Sequence, residues 1–407
     1  MKRASWLDLC IAGDSGSPSL AQSTRQALAK LDDALFDLWN LGENVLLAWT
    51  HENRQLRLLA VRHYEIAEAI DRKPAHVGAA ISATDLINYI LAGPKFLAPD
   101  QFARACRVLE RTPHIMVVDF EPEREVALEL ISDLVRRYGV SLVKGRAVVL
   151  LDAVEFSLHS PLEQVAMLNS LAYSVNSAHR QLLSKDIHIN FARTTTGDGF
   201  YIWNRSNSFD ANIALYKLAM MVLADNAVAQ SKARRSRVPR LRAAFHVGEH
   251  YEFYQVEALN PTTFSYIVGQ VTIDLSRMIE KALPGQILVG EFEIEVGAGH
   301  RAPATRYNSL EFVEKTAATL DQLAGLEIAG DRIERIRCYL TGQNPGGDRY
   351  PVNRYRIRDK HGAERSVYNA KINIHRQRAE PIFLGIRNEG LAPFDAIGVE
   401  VLTRENS

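Results

Sequence analysis

Hydrophobic positions in the first third of the chain predict a small domain. Apolar residues recur at helical spacing within 17–48, which favours a helix. Two short apolar runs flank a polar turn within 45–61, the pattern of a β-hairpin, and another apolar run at 114–120 reads as a strand. We therefore expect residues 1–120 to form an α/β or helix-rich domain, in which no motif carries recognisable chemistry.

The segment after this domain is predicted to be a connector, residues 121–145. Glutamates crowd the start of 121–138 and arginines its end, which suits a helix dipole, and an apolar stripe runs along one face. Two interpretations stay open for this helix. It packs on its own domain, or it connects the domains and pairs with a second copy of the chain.

From residue 146 strands and helices alternate quickly. The order is strand, helix, two strands around a tight turn, helix, strand pair, helix and strand, at 146–156, 160–183, 188–203, 209–228, 241–253, 271–283 and 286–290. This βαββαβ order predicts a ferredoxin-like α+β domain over 146–375, preceded by the smaller domain. An insert at 293–350, a hairpin at 355–374 and a C-terminal segment, 376–407, complete the chain.

Composition and charge exclude several classes of protein. The 48 basic residues balance the 48 acidic ones, which argues against a protein that coats nucleic acid or an anionic membrane. The three cysteines lie far apart, so neither a disulfide framework nor a zinc ribbon is indicated. An aspartate interrupts the apolar stretch at the N-terminus, and no apolar run is long enough for a membrane span. A cytoplasmic location is expected.

Two aspartates are candidates for chemistry because of their positions. Asp152 ends the apolar strand VVLLD, and Asp198 lies in the turn TTTGDGF. A buried strand that ends in a carboxylate needs a partner, since an unpaired buried charge is costly. If the two strands are neighbours, both carboxylates face one point and can hold divalent cations beside a triphosphate. The alternative is that Asp198 is a turn residue and Asp152 a helix cap.

Five motifs occur in the order seen in class III nucleotide cyclase catalytic domains. They are LLDAVEFS, TTGDGFYI, AAFHVGEHY, VGQVTIDLSRM and PGQILVG, and the resemblance covers about 123–292. It implies an enzyme that converts a nucleoside triphosphate to a 3′,5′-cyclic nucleotide and pyrophosphate. It also implies two Mg²⁺ or Mn²⁺ ions at each site and a homodimer whose sites lie at the interface.

The resemblance also implies roles for single residues. Asp152 and Asp198 match the metal-binding aspartates, and Ala153 to Phe156 match the segment that binds one metal by a carbonyl and the phosphates by amides. Arg277 matches the arginine that stabilises charge on the reacting phosphate from the partner subunit. A lysine in the family's late hairpin contacts the triphosphate, and Lys360 is the candidate, with a solvated turn lysine as the alternative.

Several positions depart from the family pattern. The transition-state asparagine falls at Ile273, whose neighbours Thr272 and Asp274 are candidates to replace it, and a loop glycine is replaced by Glu155. A hydrophobic residue at 273 favours an alternative function: a catalytically inactive, cyclase-like module that senses nucleotide.

The purine-reading pair of the family is also replaced, which implies either a different substrate base or a loss of catalysis. Its lysine falls at Thr194 and its aspartate at Tyr266. A hydroxyl that donates and accepts, together with a phenol ring, suits a pyrimidine edge. The chain thus resembles, more loosely, the bacterial pyrimidine cyclases of the Pycsar antiphage system, which implies antiviral defence.

A basic stretch at 231–242 supports a third, weaker hypothesis, a nucleic-acid-binding regulator. It holds six Lys or Arg residues and no acid. Interleaved aromatic residues are absent, so nucleic acid is an unlikely partner and a solvated loop is the simplest interpretation. A rim that attracts phosphate is the other.

Overall fold

The computed structural model describes residues 21–71, 83–233, 237–256, 263–296, 305–342, 349–359, 362–387, 391 and 395–403. The chain divides into two compact units. The first comprises Met1–Val143 and His250–Val268, and the second Lys144–Glu249 and Gly269–Ser407. The domain boundaries predicted from the sequence stay predictions.

The first unit is built on an antiparallel sheet. Its elements are α1 Gln22–Trp39, β1 Asn44–Glu52, β2 Gln55–Arg62, α2 His63–Asp71, α3 Ala83–Ala92, α4 Pro99–Val108, β3 His114–Val117 and α5 Leu128–Arg136. The predicted hairpin is confirmed, because β1 pairs antiparallel with β2 around Asn53 and Arg54, and β3 pairs with β2. Two apolar clusters make up its core, one including residues of α1 and α5 and the other residues of α2, α3 and α4.

The helix predicted over 121–138 is shorter than expected. Residues before Leu128 form a turn closed by a bridge between Pro122 and Val126, and Glu123 adopts the left-handed φ of 71°. Ile131, Leu134 and Val135 of α5 are buried in the core of the first unit. This burial agrees with the interpretation in which the helix packs on its own domain.

The second unit contains a large mixed sheet flanked by helices. Its elements, of which β4 and β7 extend into the first unit, are β4 Val140–Ala153, α6 Pro161–Leu183, β5 Phe191–Thr195, β6 Gly199–Asn204, α7 Phe209–Lys232, β7 Leu241–Val256, α8 Gln270–Lys281, β9 Ile287–Gly290, β10 Glu293–Val296, β11 Thr305–Asn308, α9 Ser309–Ala317, β12 Glu327–Ile328, β13 Asp331–Leu340, β14 Arg349–Arg358, β15 Glu364–Arg376, β16 Ile382–Leu384 and β17 Asp395–Thr403. Strand β8 Thr263–Val268, which pairs with β7, belongs to the first unit. Short 3₁₀ turns lie at Asn40–Gly42, Phe156–Leu158 and Leu320–Leu323.

The strand order places β4 in the middle of this sheet. The order is β12-β13-β15-β9-β7-β4-β6-β5, with β14 and β16 also pairing with β15, and β17 with β14. The pair β7–β9 is parallel, whereas β4–β6 and β5–β6 are antiparallel. The fold is therefore a mixed α/β fold, and the antiparallel pairs bring the end of β4 beside the turn between β5 and β6.

The core of the second unit explains why these elements form. Residues Ala147 to Ala153 of β4 are all buried, and α6 and α7 contribute apolar side chains to the same cluster. Helix α6 begins as predicted, with Ser160 as N-cap and Pro161 as the first helical residue. No helix in the described ranges is both long enough and apolar enough to cross a membrane.

Candidate functional site

Asp152 lies near the end of the central strand β4. Only 6% of the residue is exposed. Its Oδ2 accepts a hydrogen bond of 2.6 Å from Nε of Arg242 on β7. A buried carboxylate needs such a partner, because removal from water penalises its charged form. The strand therefore ends in a buried ion pair.

Asp198 is held in the turn between β5 and β6. Its Oδ1 accepts a hydrogen bond of 3.1 Å from Oγ1 of Thr196, and its carbonyl accepts one of 3.0 Å from the amide of Ala153. Gly197 has a φ of 102°, a conformation that glycine adopts without strain. The backbone bond to Ala153 ties this turn directly to the end of β4.

Gly199 sets how closely the two strands approach. It lies opposite Asp152 in the β4–β6 register. A Cβ atom at Gly199 would lie 1.9 Å from the carbonyl oxygen of Leu151 and 3.0 Å from Cα of Asp152. The second glycine of Gly-Asp-Gly is therefore required for the two aspartates to be neighbours.

The two carboxylates influence each other electrostatically. Burial raises the pKa of Asp152, Arg242 opposes this rise, and Asp198 adds to it through like charge and a side-chain contact. The net pKa of Asp152 lies above its ordinary value. Strand pairing and the Ala153–Asp198 backbone hydrogen bond place the two residues side by side, and a cation between their carboxylates would relieve the repulsion.

The donor set at this point suits a hard divalent cation. No group of three or more His, Cys, Asp or Glu side chains in the described part of the chain is arranged to hold a metal. Mg²⁺ is commonly bound by one or two carboxylates together with substrate phosphates rather than by a complete protein cage. Two carboxylates beside the Ala153 backbone fit a cation that is shared with a phosphorylated ligand.

The loop that follows Asp152 keeps a glycine-like conformation without a glycine. Glu155 has a φ of 58° and a ψ of 25°, in the left-handed region where a side chain costs about 1–2 kcal/mol. The amide of Val154 donates a hydrogen bond of 2.8 Å to the carbonyl of Arg240, and Phe156 packs against the main core. The backbone of this loop is therefore fixed at both ends.

Arg242 is the residue that sequence reasoning missed. It lies at the end of the basic stretch 231–242, part of which falls outside the described residues. The sequence predicts a solvated loop there, with a phosphate-attracting rim as the alternative. The contact with Asp152 places one arginine of that stretch in the candidate site. The excess of basic residues in the stretch was the sequence feature that could have indicated such a contact.

The predicted catalytic residues of α8 are engaged within the chain. Thr272 Oγ1 donates to the carbonyl of Gly269 at 2.8 Å and accepts from its amide at 3.3 Å, so this hydroxyl closes the start of the helix. Asp274 accepts a hydrogen bond of 2.8 Å from Gln270, and Ile273 is 47% exposed. The roles of Thr272 and Asp274 stay predictions.

Asp274 also lies beside two basic side chains. His246 Nε2 lies 3.6 Å from its Oδ2, and Arg365 donates a hydrogen bond to its Oδ1. Burial pushes the pKa of Asp274 up, but the hydrogen bonds from His246, Arg365 and Gln270 outweigh it, and the pKa lies below its ordinary value. Asp274 therefore remains charged.

Arg277 is partly buried between two acidic side chains. Its Nε lies 3.6 Å from Oδ2 of Asp359, and its Nη1 donates a hydrogen bond of 3.3 Å to Glu280. The side chain of Arg277 is 24% exposed.

The predicted base-reading residues belong to different units. Thr194, half-buried on β5, pairs with Tyr201 of β6 in the second unit. Tyr266 lies on β8 in the first unit, where its ring stacks on that of Phe253 at 5.7 Å. Lys360, predicted to contact phosphate, lies outside the described residues.

Comparisons with known proteins leave the family of this chain open. No model of a known protein family matches the sequence, and no curated protein matches it. Among solved structures the chain is similar to the guanylyl cyclase Cya2, with a TM-score of 0.32 and 12% identity over 57% of this chain and 92% of that one.

Two adenylyl cyclases give comparable values. The adenylyl cyclase CyaB from P. aeruginosa has a TM-score of 0.28 and 12% identity, over 42% of this chain and 94% of that one. A bacterial light-regulated adenylyl cyclase has a TM-score of 0.28 and 12% identity, over 43% and 99%. Similarities of this size do not establish a family.

Proposed function

We propose that this chain is a nucleotide cyclase of the class III type, which converts a nucleoside triphosphate to a 3′,5′-cyclic nucleotide and pyrophosphate. The observation that carries the proposal is that strand pairing and a backbone hydrogen bond place Asp152 and Asp198 side by side at the end of β4, beside Arg242. The five motifs that resemble the family surround this point in the sequence.

We also infer the ferredoxin-like arrangement, which the strand order β7-β4-β6-β5 supports.

The reaction is an in-line displacement at the α-phosphorus. The 3′-oxygen forms a bond to this phosphorus, the bond to the oxygen that bridges to the β-phosphate breaks, and the 3′-proton leaves to solvent. Negative charge accumulates on the phosphate oxygens, so the site needs cations aimed at them. Arg242 supplies one such charge at the described site, and Arg277 is proposed to supply a second.

Asp152 and Asp198 would hold Mg²⁺ or Mn²⁺, with the Ala153 carbonyl as an additional ligand. A divalent cation supplies Lewis-acid activation of the hydroxyl and neutralises phosphate charge. We propose two ions per site, as the family resemblance implies. The protein's own contribution is to keep the two carboxylates close together, which the absence of a side chain at Gly199 allows, and to pair Asp152 with Arg242.

Arg277 is proposed to act on the site of a partner subunit, so that the active form is a homodimer. The test is complementation between two inactive variants. Asp152→Ala and Arg277→Ala should each be inactive alone, and their mixture should regain about a quarter of the wild-type activity, because random pairing leaves one intact site in half of the dimers. A mixture as inactive as its components would contradict shared sites.

The base is proposed to be a pyrimidine, read by Thr194 and Tyr266. A hydroxyl and a phenol offer donors and acceptors without the charged pair that reads purines in the family. A cytoplasmic enzyme of antiviral defence, without nucleic acid as a partner, is the corresponding biological role. These finer statements depend on the sequence resemblance.

A turnover screen tests the proposed function. Purified protein with Mn²⁺ is incubated with ATP, GTP, CTP and UTP separately, and products are identified by mass. The proposal expects a cyclic nucleotide and pyrophosphate from at least one of them, abolished by Asp198→Asn. No product from any of the four at high protein concentration would refute it.

A second candidate function is a nucleotide-sensing module without turnover. The exposed Ile273 favours it, since this side chain cannot hydrogen-bond where the family has an asparagine. This candidate expects tight nucleotide binding with the ligand recovered unchanged after long incubation. Conversion of the bound nucleotide would exclude it.

A further inference from the structure

A line of charged and polar side chains connects β7 to α8 and to the β14–β15 hairpin. It consists of His246, Asp274, Arg365, Asp359 and Arg277, in that spatial order. Each neighbouring pair lies within ion-pair distance, and side-chain exposure is at most 24% throughout. The line begins on a strand of the central sheet and ends at the guanidinium of Arg277.

Asp359 is held through both of its carboxylate oxygens. Its Oδ1 accepts a hydrogen bond of 2.9 Å from the amide of Ala363 across the hairpin turn. Its Oδ2 accepts a hydrogen bond of 3.2 Å from Nη1 of Arg365 and lies 3.6 Å from Nε of Arg277. A carboxylate fixed through both oxygens can act as a rigid anchor for a long, flexible arginine.

Asp359 is the stronger of the two acidic partners of Arg277. Its side chain is only 6% exposed, whereas that of Glu280 is 43% exposed. Exposed ion pairs are screened by water and salt and contribute little, while a charge pair with less access to solvent interacts more strongly. Asp359 therefore determines where the guanidinium of Arg277 rests, and Glu280 adds little.

We propose that Asp359 is a positioning residue for Arg277, an inference that rests on the proposed cyclase function. Asp359 touches no substrate in this proposal. It holds Nε of Arg277 and so fixes the orientation in which the guanidinium meets the developing phosphate charge. Without it, only the more exposed Glu280 holds the guanidinium, which becomes mobile, and charge stabilisation in the transition state is lost.

The test compares Asp359→Asn with the matched control Glu280→Gln. Asparagine keeps the acceptor for Ala363 and the side-chain size but removes the charge that holds Arg277. Because misplacement of a group by about 1 Å can cost on the order of 100-fold in rate, kcat should fall about 10- to 100-fold. KM should change less than about threefold, since the lost interaction is made only in the transition state. Glu280→Gln should leave kcat within about twofold.

A second measurement does not depend on turnover. Phenylglyoxal modifies accessible arginines, and mass spectrometry of the peptide that contains Arg277 gives its rate of modification. Arg277 should react faster in Asp359→Asn than in the wild type or in Glu280→Gln, at equal melting temperature. This measurement separates loss of positioning from loss of folding.

The outcomes distinguish the two proposals. If the wild type turns over a triphosphate and Asp359→Asn keeps its kcat, the positioning role is wrong and the cyclase function stands. If the wild type turns over none, the cyclase function fails. The labelling rate then decides whether Asp359 holds Arg277, and equal rates in Asp359→Asn and the wild type overturn that contact.

Discussion

Replacement of Lys95 is expected to stabilise the first unit, although the lysine makes a good hydrogen bond. Lys95 is fully buried, and its Nζ donates to the carbonyl of Val140, the first residue of β4, at 2.8 Å. Burial, with a smaller contribution from the charge of Arg136, lowers the pKa of Lys95 from 10.5 to about 7. Keeping a buried amine protonated costs free energy, and this cost lowers the free energy of unfolding.

The magnitude follows from the pKa difference. The difference between a pKa of 10.5 and one of about 7 corresponds to about 5 kcal/mol against the charged form of Lys95 in the folded state. Lys95→Met removes this penalty but leaves the Val140 carbonyl without its donor, at a cost of about 1–3 kcal/mol. The net gain is about 2–4 kcal/mol at pH 7.

The difference between the folded-state and unfolded-state pKa of Lys95 also fixes how the stability of the wild type depends on pH. Below the folded-state pKa both states carry the proton, and the penalty of the wild type is complete. Between about 7 and 10.5 only the unfolded state keeps the proton, so the stability of the wild type rises with pH. At pH 9 a penalty of about 2 kcal/mol remains, and the advantage of Lys95→Met should have nearly vanished.

Hydrogen exchange of the β1 peptide at pH 7 and pH 9 measures this effect. Protection factors in Lys95→Met should exceed those of the wild type by about 100-fold at pH 7, since 1.4 kcal/mol is a factor of ten, and by little at pH 9. Lys30→Met, whose side chain is 74% exposed, is the control and should show no such dependence. An advantage that is equal at both pH values, or a loss of protection at pH 7, would refute the reasoning.

Three further predictions concern the loops around the two aspartates. Gly199→Ala should destabilise the second unit by on the order of 3 kcal/mol in denaturant titrations, because the added methyl group would meet the Leu151 carbonyl. The control Gly197→Ala, which has no atom near its Cβ, should cost about 1 kcal/mol. Equal losses of stability in the two variants would contradict the close approach of the strands at Gly199. Glu155→Gly should keep the melting temperature within a few degrees while Glu155→Val lowers it, and a tolerated valine would contradict the left-handed conformation. Mn²⁺ affinity should fall on acidification through the raised pKa of Asp152, above the usual carboxyl range near 4, and an affinity that stays constant down to pH 4 would contradict that rise.

Local patterns predicted most of the elements that carry the site. The two apolar runs of β1 and β2 and the cap at the start of α6 act over a few residues, so the sequence alone was sufficient. The helix predicted over 121–138 was wrong at its start, because the charge pattern suits a helix but does not require one. There the amide of Glu123 bonds the carbonyl of Val126, and the chain turns instead.

The aspartates of the site could be predicted and their partners could not. Asp152 and Asp198 are marked by a buried strand and a tight turn, which are local features. Arg242 lies among several basic residues, and composition does not tell which of them turns toward Asp152. The contact between Arg277 and Asp359 joins a helix to a distant hairpin, and only the folded chain brings them together.

The central claim is that Asp152 and Asp198 hold one cation together, and Mn²⁺ titration followed by electron paramagnetic resonance tests it most directly. The titration is made with a non-hydrolysable triphosphate present. Asp152→Asn and Asp198→Asn should each weaken Mn²⁺ binding at least about 10-fold. Asp210→Asn, which alters an exposed carboxylate in the first turn of α7, should leave it unchanged. Wild-type affinity in both site variants would contradict the account.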